Sequence, residues 1–411
     1  MKKKKTLRRI LLSALTAASV LFSPAPVLAE GTDDTLADSL RSKYVIIMDA
    51  DTGQVLSEKN PDERMYPASM TKMMTAIVAI ENIKDYDERI TITEEMTAGL
   101  AEENASRIAY EPGDDPIIRD LLYAVALPSA ADATNALALK VSGSIDAYVD
   151  LMNMKAKALG MTNTHFVNTS GLHDPDHYST ARDMAKLLDY CLQNEMFRNI
   201  FSTNEYHLGS VATFPDGVDI YSTATMAADR QEVDISEMIG GKTGFTYEAG
   251  YCLAYWTKIN NLNLIVVTGN ASDVMEDPMH VVDASETMQK LHSWHRKTFF
   301  TSGEVLHTIT VNHSFDKEML YIEAPQELTL DLPEEWKTSM TITLPDEVKA
   351  SYEEREVTGA LIVKGGDHVL FSKDYTLTIP REKNFFMRIY LRIRSWFSKG
   401  AVTNKKQSKK K

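Results

Sequence analysis

The stretch YPASMTKMMTA, Tyr66 to Ala76, puts a serine at the head of an apolar run and a lysine three residues later. The run continues to Ile83 with helical spacing. Positions i and i+3 of a helix share a face about one turn apart, so the Ser69 hydroxyl can reach the Lys72 nitrogen. Serine is a poor nucleophile unless a neighbouring base takes its proton. Lysine can be that base when neutral, and both burial and the positive end of a helix dipole disfavour its charged form. A bare S-x-x-K is more often an N-cap serine followed by an ordinary lysine, so other parts of the chain must supply the context.

Two further stretches do so. MIGGKTGFTYEAGYCLAYW reads as a strand carrying Lys242, Thr243 and Gly244. Gly244 has no side chain, so a ligand backbone can approach the strand there. Lys242 and Thr243 offer a cation and a hydroxyl to a carboxylate, and a peptide can lie along such a strand by β-augmentation. In LLYAVALPSAADATNALALK, Ser129 follows Pro128 at a break between two helices, where a side chain can point into a cleft. The order S-x-x-K, serine motif, K-T-G is a recognised catalytic set.

Around these motifs the chain reads in blocks. Tyr44 to Ala50 is a buried strand, Asp51-Thr52-Gly53 a turn and Gln54 to Glu58 a returning strand. Helices are predicted over Ser69 to Ile83, Ile117 to Leu127, from Ser129 on, Ile145 to Leu159 and Thr180 to Gln193. Strands return near Met238 to Thr246, Gly250 to Lys258 and Leu262 to Thr268, and a long helix is expected over about Val274 to Lys297. Strands that open and close a domain around helices suggest an antiparallel sheet with helices packed on it. From Thr301 to Thr378, β-branched and alternating segments between turn signals read as a separate small all-β domain.

The two ends differ from the body. Lys2 to Lys5, Arg8 and Arg9, an apolar stretch from Ile10 to about Phe22, and Val27-Leu28-Ala29 form a secretory signal with Glu30 as the expected mature start. At the other end, Phe385, Phe386, Ile389, Tyr390, Ile393, Trp396 and Phe397 fall on one face of a helix, with Arg388, Arg392 and Lys399 opposite. That is an interfacial helix suited to an anionic lipid surface and too short and charged to span one. The formal net charge is −14. The signal holds six Lys/Arg and residues 381–411 eleven against one acid, which leaves 27 basic and 57 acidic groups, or −30, between them. An acidic body with a basic end argues against nucleic-acid binding and for a tethered body. The two cysteines, Cys191 and Cys252, lie in apolar contexts and read as buried thiols rather than a disulfide framework. His165, His173 and His177 lie near Asp174 and Asp176, but their spacing matches no standard zinc pattern, so neither a metal nor another cofactor is expected.

Taken together, YPASMTKMMTA, EPGD, NTSGLHDPDHYSTARDMAKL and KTGFTYEAGYCLAYW, with the signal, the β domain and the basic amphipathic tail, make the chain resemble the D-alanyl-D-alanine carboxypeptidases, the low-molecular-weight penicillin-binding proteins of peptidase family S11. The resemblance implies an α/β (α+β) penicillin-binding/β-lactamase-like domain over residues 30–299, a β-sandwich-like domain over 300–380 and a membrane-anchoring helix and tail over 381–411, after the signal of residues 1–29. It implies an exported bacterial protein at the outer face of the cytoplasmic membrane, acting on peptidoglycan stem peptides and acylated by β-lactam antibiotics. By the same resemblance Ser69 forms the acyl-enzyme, Lys72 is its base and Ser129 relays a proton to the leaving D-alanine. Lys242 and Thr243 hold the terminal carboxylate, and the oxyanion hole uses N–H groups of Ser69 and of the strand near Phe245. One departure stands out: the family's S-x-N has asparagine where this chain has Ala131. Asn135 lies a full turn of about 5.4 Å further on and is poorly placed to replace it. The expectation is a slowed carboxypeptidase; the alternatives are a weakened or inactive wall-binding homologue and, behind that, a β-lactamase.

Overall fold

The computed structural model describes residues 27–28, 34–314, 316–366, 368–382, 386 and 389–390. They form two compact units. The first holds the described residues from Asp34 to Thr298 and Thr329–Trp336; the second holds those of Phe299–Leu328, those from Lys337 on, and Val27–Leu28. The expected boundary near residue 300 therefore needs amending: the segment 329–336 returns to the first unit. There the Gln54 amide exchanges two hydrogen bonds with the backbone of Asp331, at 2.8 and 3.0 Å, and Arg296 Nε donates to the Asp331 carboxylate at 3.0 Å.

The first unit is built on five antiparallel strands: β1 (Tyr44–Asp49), β2 (Val55–Lys59), β3 (Met238–Gly244), β4 (Cys252–Ile259) and β5 (Leu262–Gly269), in the order β2-β1-β5-β4-β3. The continuous apolar run of β1 is buried on both faces. Ile46, with Ile265 and Val267 of β5, packs into one core; Val45 and Ile47, with Leu264 and Val266, pack into another. Side chains alternate across a strand, so a run with no polar alternation needs cover on both sides. The first core is closed by α1 (Lys72–Asn82), α2 (Ile118–Ala126), α3 (Ala131–Ser142), α4 (Ile145–Ala158) and α5 (Ala181–Leu192). On the second, Ala284, Met288 and Leu291 come from α7 (Met279–Leu291), the helix that follows α6 (Thr223–Gln231).

Helix α1 is buried along nearly its whole length, from Lys72 to Ile80, as a helix apolar on every side must be. Side-chain caps start α4 and α5, where Ser144 accepts from the Ala147 N–H and Thr180 from the Asp183 N–H. Two expectations are corrected. Helix α3 begins at Ala131, not Ser129, because Ser129 has φ +67° and cannot start a right-handed turn. The long helix expected over Val274 to Lys297 is shorter: Pro278 precedes its first turn, it stops at Leu291, and Trp294–Phe300 is a strand. Both cysteines are free and buried, as read.

Up to Ile379 the regular elements among the described residues of the second unit are all β. Val305–Asn312 pairs with Lys317–Glu323 and Glu347–Lys349, and Arg355–Gly365 pairs with Thr338–Ile342 and His368–Ile379. Of the expected signal only Val27–Leu28 is described, paired antiparallel with Phe371 and Ser372. Of the expected C-terminal helix, Phe386, Ile389 and Tyr390 are helical and exposed, and the rest lies outside the described residues.

In the first unit, Asp283 of α7 is fully buried and accepts four hydrogen bonds, from the Arg41 N–H and guanidinium and from the Ser42 N–H and hydroxyl. Asp283→Ala leaves those donors without their acceptor, and urea unfolding is expected to show a loss of about 3 kcal/mol.

Candidate active site

Ser69 lies in a 3-10 turn, Ala68–Thr71, immediately before α1. The turn is tight: Ala68 has φ +45°, a left-handed conformation that costs a non-glycine residue energy. Gly171 makes it possible. A Cβ at Gly171 would lie 1.8 Å from the Ala68 carbonyl O, and its own φ of +82° also suits only glycine. Gly244 is needed in the same way. A Cβ there would meet the Pro67 carbonyl O at 2.9 Å and Ser69 N at 3.0 Å. The close approach that demands glycine at 244 is thus made by the Ser69 turn, not by a ligand as the sequence suggested.

Lys72 is buried, and its Nζ lies 2.8 Å from Ser69 Oγ and 2.6 Å from the Ser170 carbonyl O. Burial holds its pKa well below the usual lysine value; the nearby Lys242 cation pushes the same way, and Asp132 opposes them. Lys242 is also buried. Its Nζ donates to the Thr243 carbonyl at 3.0 Å, and burial lowers its pKa to about 7. Two lysines sharing one interior cannot easily both be charged, so Lys72 is the one that stays neutral.

Ser129 occupies the break between α2 and α3, held by the Ala130 N–H donating to the Ala124 carbonyl. Its left-handed backbone turns the side chain into the site, and its buried hydroxyl has no hydrogen-bond partner among the described residues. A buried, unpaired hydroxyl is costly, and here it leaves a donor and an acceptor turned to the cleft that Ser129 lines.

Ser69, Ser129, Thr243, Gly244 and Phe245 line one cleft of about 300 Å³. Lys72 and Lys242 are not among its lining residues. The cation that lines it is Arg230 of α6, which the sequence reading missed; Asn104, Ser106, Thr223 and His280 line it too. The Thr243 and Thr223 hydroxyls lie 2.6 Å apart. Nothing in the sequence placed α6 beside the cleft, so Arg230 carried no signal there.

The histidine-rich segment has structural duties. The Val167 N–H donates to His177 Nδ1 at 3.2 Å, which puts the proton on Nε2, 2.7 Å from Thr71 Oγ1. Burial keeps this imidazole neutral, with a pKa lowered to about 4. His165 Nδ1 lies against the Asp176 carbonyl, and His173 packs edge-on to Tyr66. Asn168 Oδ1 accepts from the N–H groups of Ser170 and Gly171, which orients the carbonyl that faces Lys72.

The chain is similar to known proteins in sequence and fold. The family profile described as D-alanyl-D-alanine carboxypeptidase matches residues 32–273. The chain is 29% identical over 368 residues to the D-alanyl-D-alanine carboxypeptidase DacF of Bacillus subtilis, covering 88% of this chain and 91% of that one. It is 34% identical over 271 residues to DacC of Escherichia coli, 64% of each chain. Among solved structures, the Streptomyces K15 DD-transpeptidase superposes with a TM-score of 0.55 at 28% identity, covering 64% of this chain and 98% of that one. The carboxypeptidase DacD from Francisella tularensis shares the fold over 88% of this chain and 98% of its own, with a TM-score of 0.68 at 24% identity.

The lysine pair makes a signed prediction. Lys72 can take the Ser69 proton only above its own pKa, so reaction of Ser69 with an acylating probe is expected to slow as the pH drops through that value. Lys242→Met removes the neighbouring cation, and the acidic limb of the pH–rate profile is expected to move to higher pH. The same substitution alters stability: folded Lys242 titrates near 7 and the unfolded side chain near 10.5. The unfolded chain binds more protons between those values, so Lys242 makes stability rise with pH there, a contribution lost as pH falls through 7. Lys242→Met should flatten that slope in urea unfolding.

Proposed function

The chain belongs to the D-alanyl-D-alanine carboxypeptidase family, and we propose that it removes the terminal D-alanine from peptidoglycan pentapeptide stems with Ser69 as nucleophile. The observation that carries the assignment of roles is the 2.8 Å contact between Ser69 Oγ and a buried Lys72 amine, beside the unpartnered Ser129 hydroxyl in one cleft.

Ser69 Oγ attacks the carbonyl carbon of the penultimate D-alanine while neutral Lys72 takes the hydroxyl proton. The oxyanion is held by the Ser69 N–H and an N–H of the strand end near Phe245; the approach of β3 to the Ser69 turn at Gly244 supports that pairing. The proton passes through Ser129 to the amine of the leaving D-alanine as the C–N bond breaks. Water then attacks the ester carbonyl, Lys72 acting again as base, and the shortened peptide leaves with Ser69 restored. The terminal carboxylate faces Arg230 and the Thr243 hydroxyl at the cleft wall. Lys242 acts from inside, fixing the Thr243 carbonyl and keeping Lys72 neutral, rather than as the direct ligand the resemblance implied. A β-lactam ring opens by the same attack and leaves an acyl group on Ser69.

The protein works outside the cytoplasm, led by the signal of residues 1–29 and tethered by the basic amphipathic tail. The exposed apolar side chains of Phe386, Ile389 and Tyr390 support a lipid-facing helix, and no helix among the described residues is long and apolar enough to cross a membrane. Ala131 favours one second reading, a wall-binding homologue with little turnover.

Incubation of protein lacking residues 381–411 with benzylpenicillin is expected to give one adduct by intact mass, on the peptide carrying Ser69, and D-alanine release from an N-acyl-Lys-D-Ala-D-Ala tripeptide. Lys72→Met should slow acylation by roughly 10²- to 10⁴-fold. No adduct in folded protein decides for the wall-binding reading. In a separate flotation assay, full-length mature protein should bind vesicles containing anionic lipid and lose that binding when residues 381–411 are removed. Equal binding by both forms refutes the tether.

A further inference from the structure

The amide that Ala131 does not provide has a candidate elsewhere in the cleft. A peptide laid along β3 satisfies one edge of its backbone on the strand, and its other edge still needs a donor and an acceptor. A carboxamide offers both at one position. Ala131 is buried and has no polar atom beyond its backbone. Asn135 is already engaged elsewhere: its Oδ1 accepts from Thr169 Oγ1 at 2.9 Å, and its Nδ2 donates to the Met96 carbonyl at 3.2 Å.

The start of α3 is instead devoted to holding a loop. Met96, tied by Asn135, belongs to the short helix Glu94–Thr97 that leads into residues 98–110. The Ala131 N–H donates to the Ser106 carbonyl at 2.7 Å. The buried Asp132 carboxylate accepts from the N–H groups of Ile108, Ala109 and Tyr110 at 3.2, 2.9 and 3.3 Å. The loop keeps two left-handed non-glycine residues under this restraint, Asn104 with φ +51° and Ala109 with φ +68°. Asn104 and Ser106 emerge from it into the cleft, where Asn104 is the carboxamide among the lining residues.

We propose that Asn104, presented by the loop that α3 anchors, takes the place of the missing asparagine at 131 and binds the backbone amide of the stem peptide during acylation of Ser69. This rests on the carboxypeptidase reading and makes Asn104 a residue that touches substrate. It also changes what Ala131 means. The helix start holds the loop through groups that do not depend on the side chain at 131, and the amide has moved to the loop.

The test is kcat/KM for D-alanine release from an N-acyl-Lys-D-Ala-D-Ala tripeptide by four proteins: wild type, Asn104→Gly, Ala131→Asn and the double variant. Glycine at 104 removes the amide while accepting the left-handed backbone, and matching melting curves establish that the loop change leaves the fold intact. Asn104→Gly is expected to lower kcat/KM about tenfold, the loss of one hydrogen bond to substrate. Ala131→Asn is expected to recover most of that loss in the Asn104→Gly background and to change the wild type by less than about threefold. That rescue separates substrate binding from a merely structural role. An unchanged kcat/KM in Asn104→Gly, or an Ala131→Asn gain as large in wild type as in the Asn104→Gly background, overturns the inference alone. No D-alanine release by wild type overturns the carboxypeptidase reading and this inference with it.

Discussion

The burial of the Lys72 amine is the constraint on which the site depends. An ammonium taken out of water loses several kcal/mol of hydration unless a counter-charge replaces it. Lys72 is instead given two neutral oxygens, Ser69 Oγ and the Ser170 carbonyl, and a second lysine close by. Asp132 leans the other way, but its carboxylate is spent on backbone N–H groups. The result is a neutral amine at the start of a helix buried from Lys72 to Ile80. The features around it serve that placement: Asn168 aims the Ser170 carbonyl, and Gly171 and Gly244 leave room for the strained turn at Ala68.

Much of this was legible in the chain. The run after Ser69 is apolar on every face, which only a central helix permits, and β1 has no polar alternation, which only a strand covered on both sides permits. Strong local patterns of this kind survive folding because burial reinforces them. What could not be read depended on what lies next to what. Ser129 looks like the first residue of a helix until its left-handed backbone is seen. Gly244 invites a ligand on paper, yet its space is taken by Pro67 and Ser69 of the same chain. Arg230 sits on a short helix of weak amphipathic pattern, and only the fold turns it toward the cleft. WHRKTFF, with its cations and aromatics, continues a helix as readily as it makes a strand; the end of α7 at Leu291 decides between them.

The departure at Ala131 shows why a motif should be read as a set of chemical duties rather than of letters. The first turns of α3 carry three contacts to the loop of residues 98–110 and the short helix before it: a backbone N–H, a carboxylate and an amide. A substitution that on paper removes a substrate contact lies within a helix start already engaged with its neighbour. Helix and loop form one anchored pair there, which a comparison at one column does not see.

The return of residues 329–336 to the first unit makes that unit discontinuous in the chain. Gln54 and Arg296 find their partner Asp331 only after the polypeptide has made an excursion through another hydrophobic core. During synthesis the first unit therefore emerges unfinished, with the buried Gln54 amide awaiting a segment still to come from the ribosome, while Arg296 already has Asp49 and Asp51 beside it. A single cut near residue 300 would part the Gln54 amide from the Asp331 backbone, so the two units are one inheritance: exchanging them by simple fusion at that junction takes a buried partner away, as it would not with beads on a string.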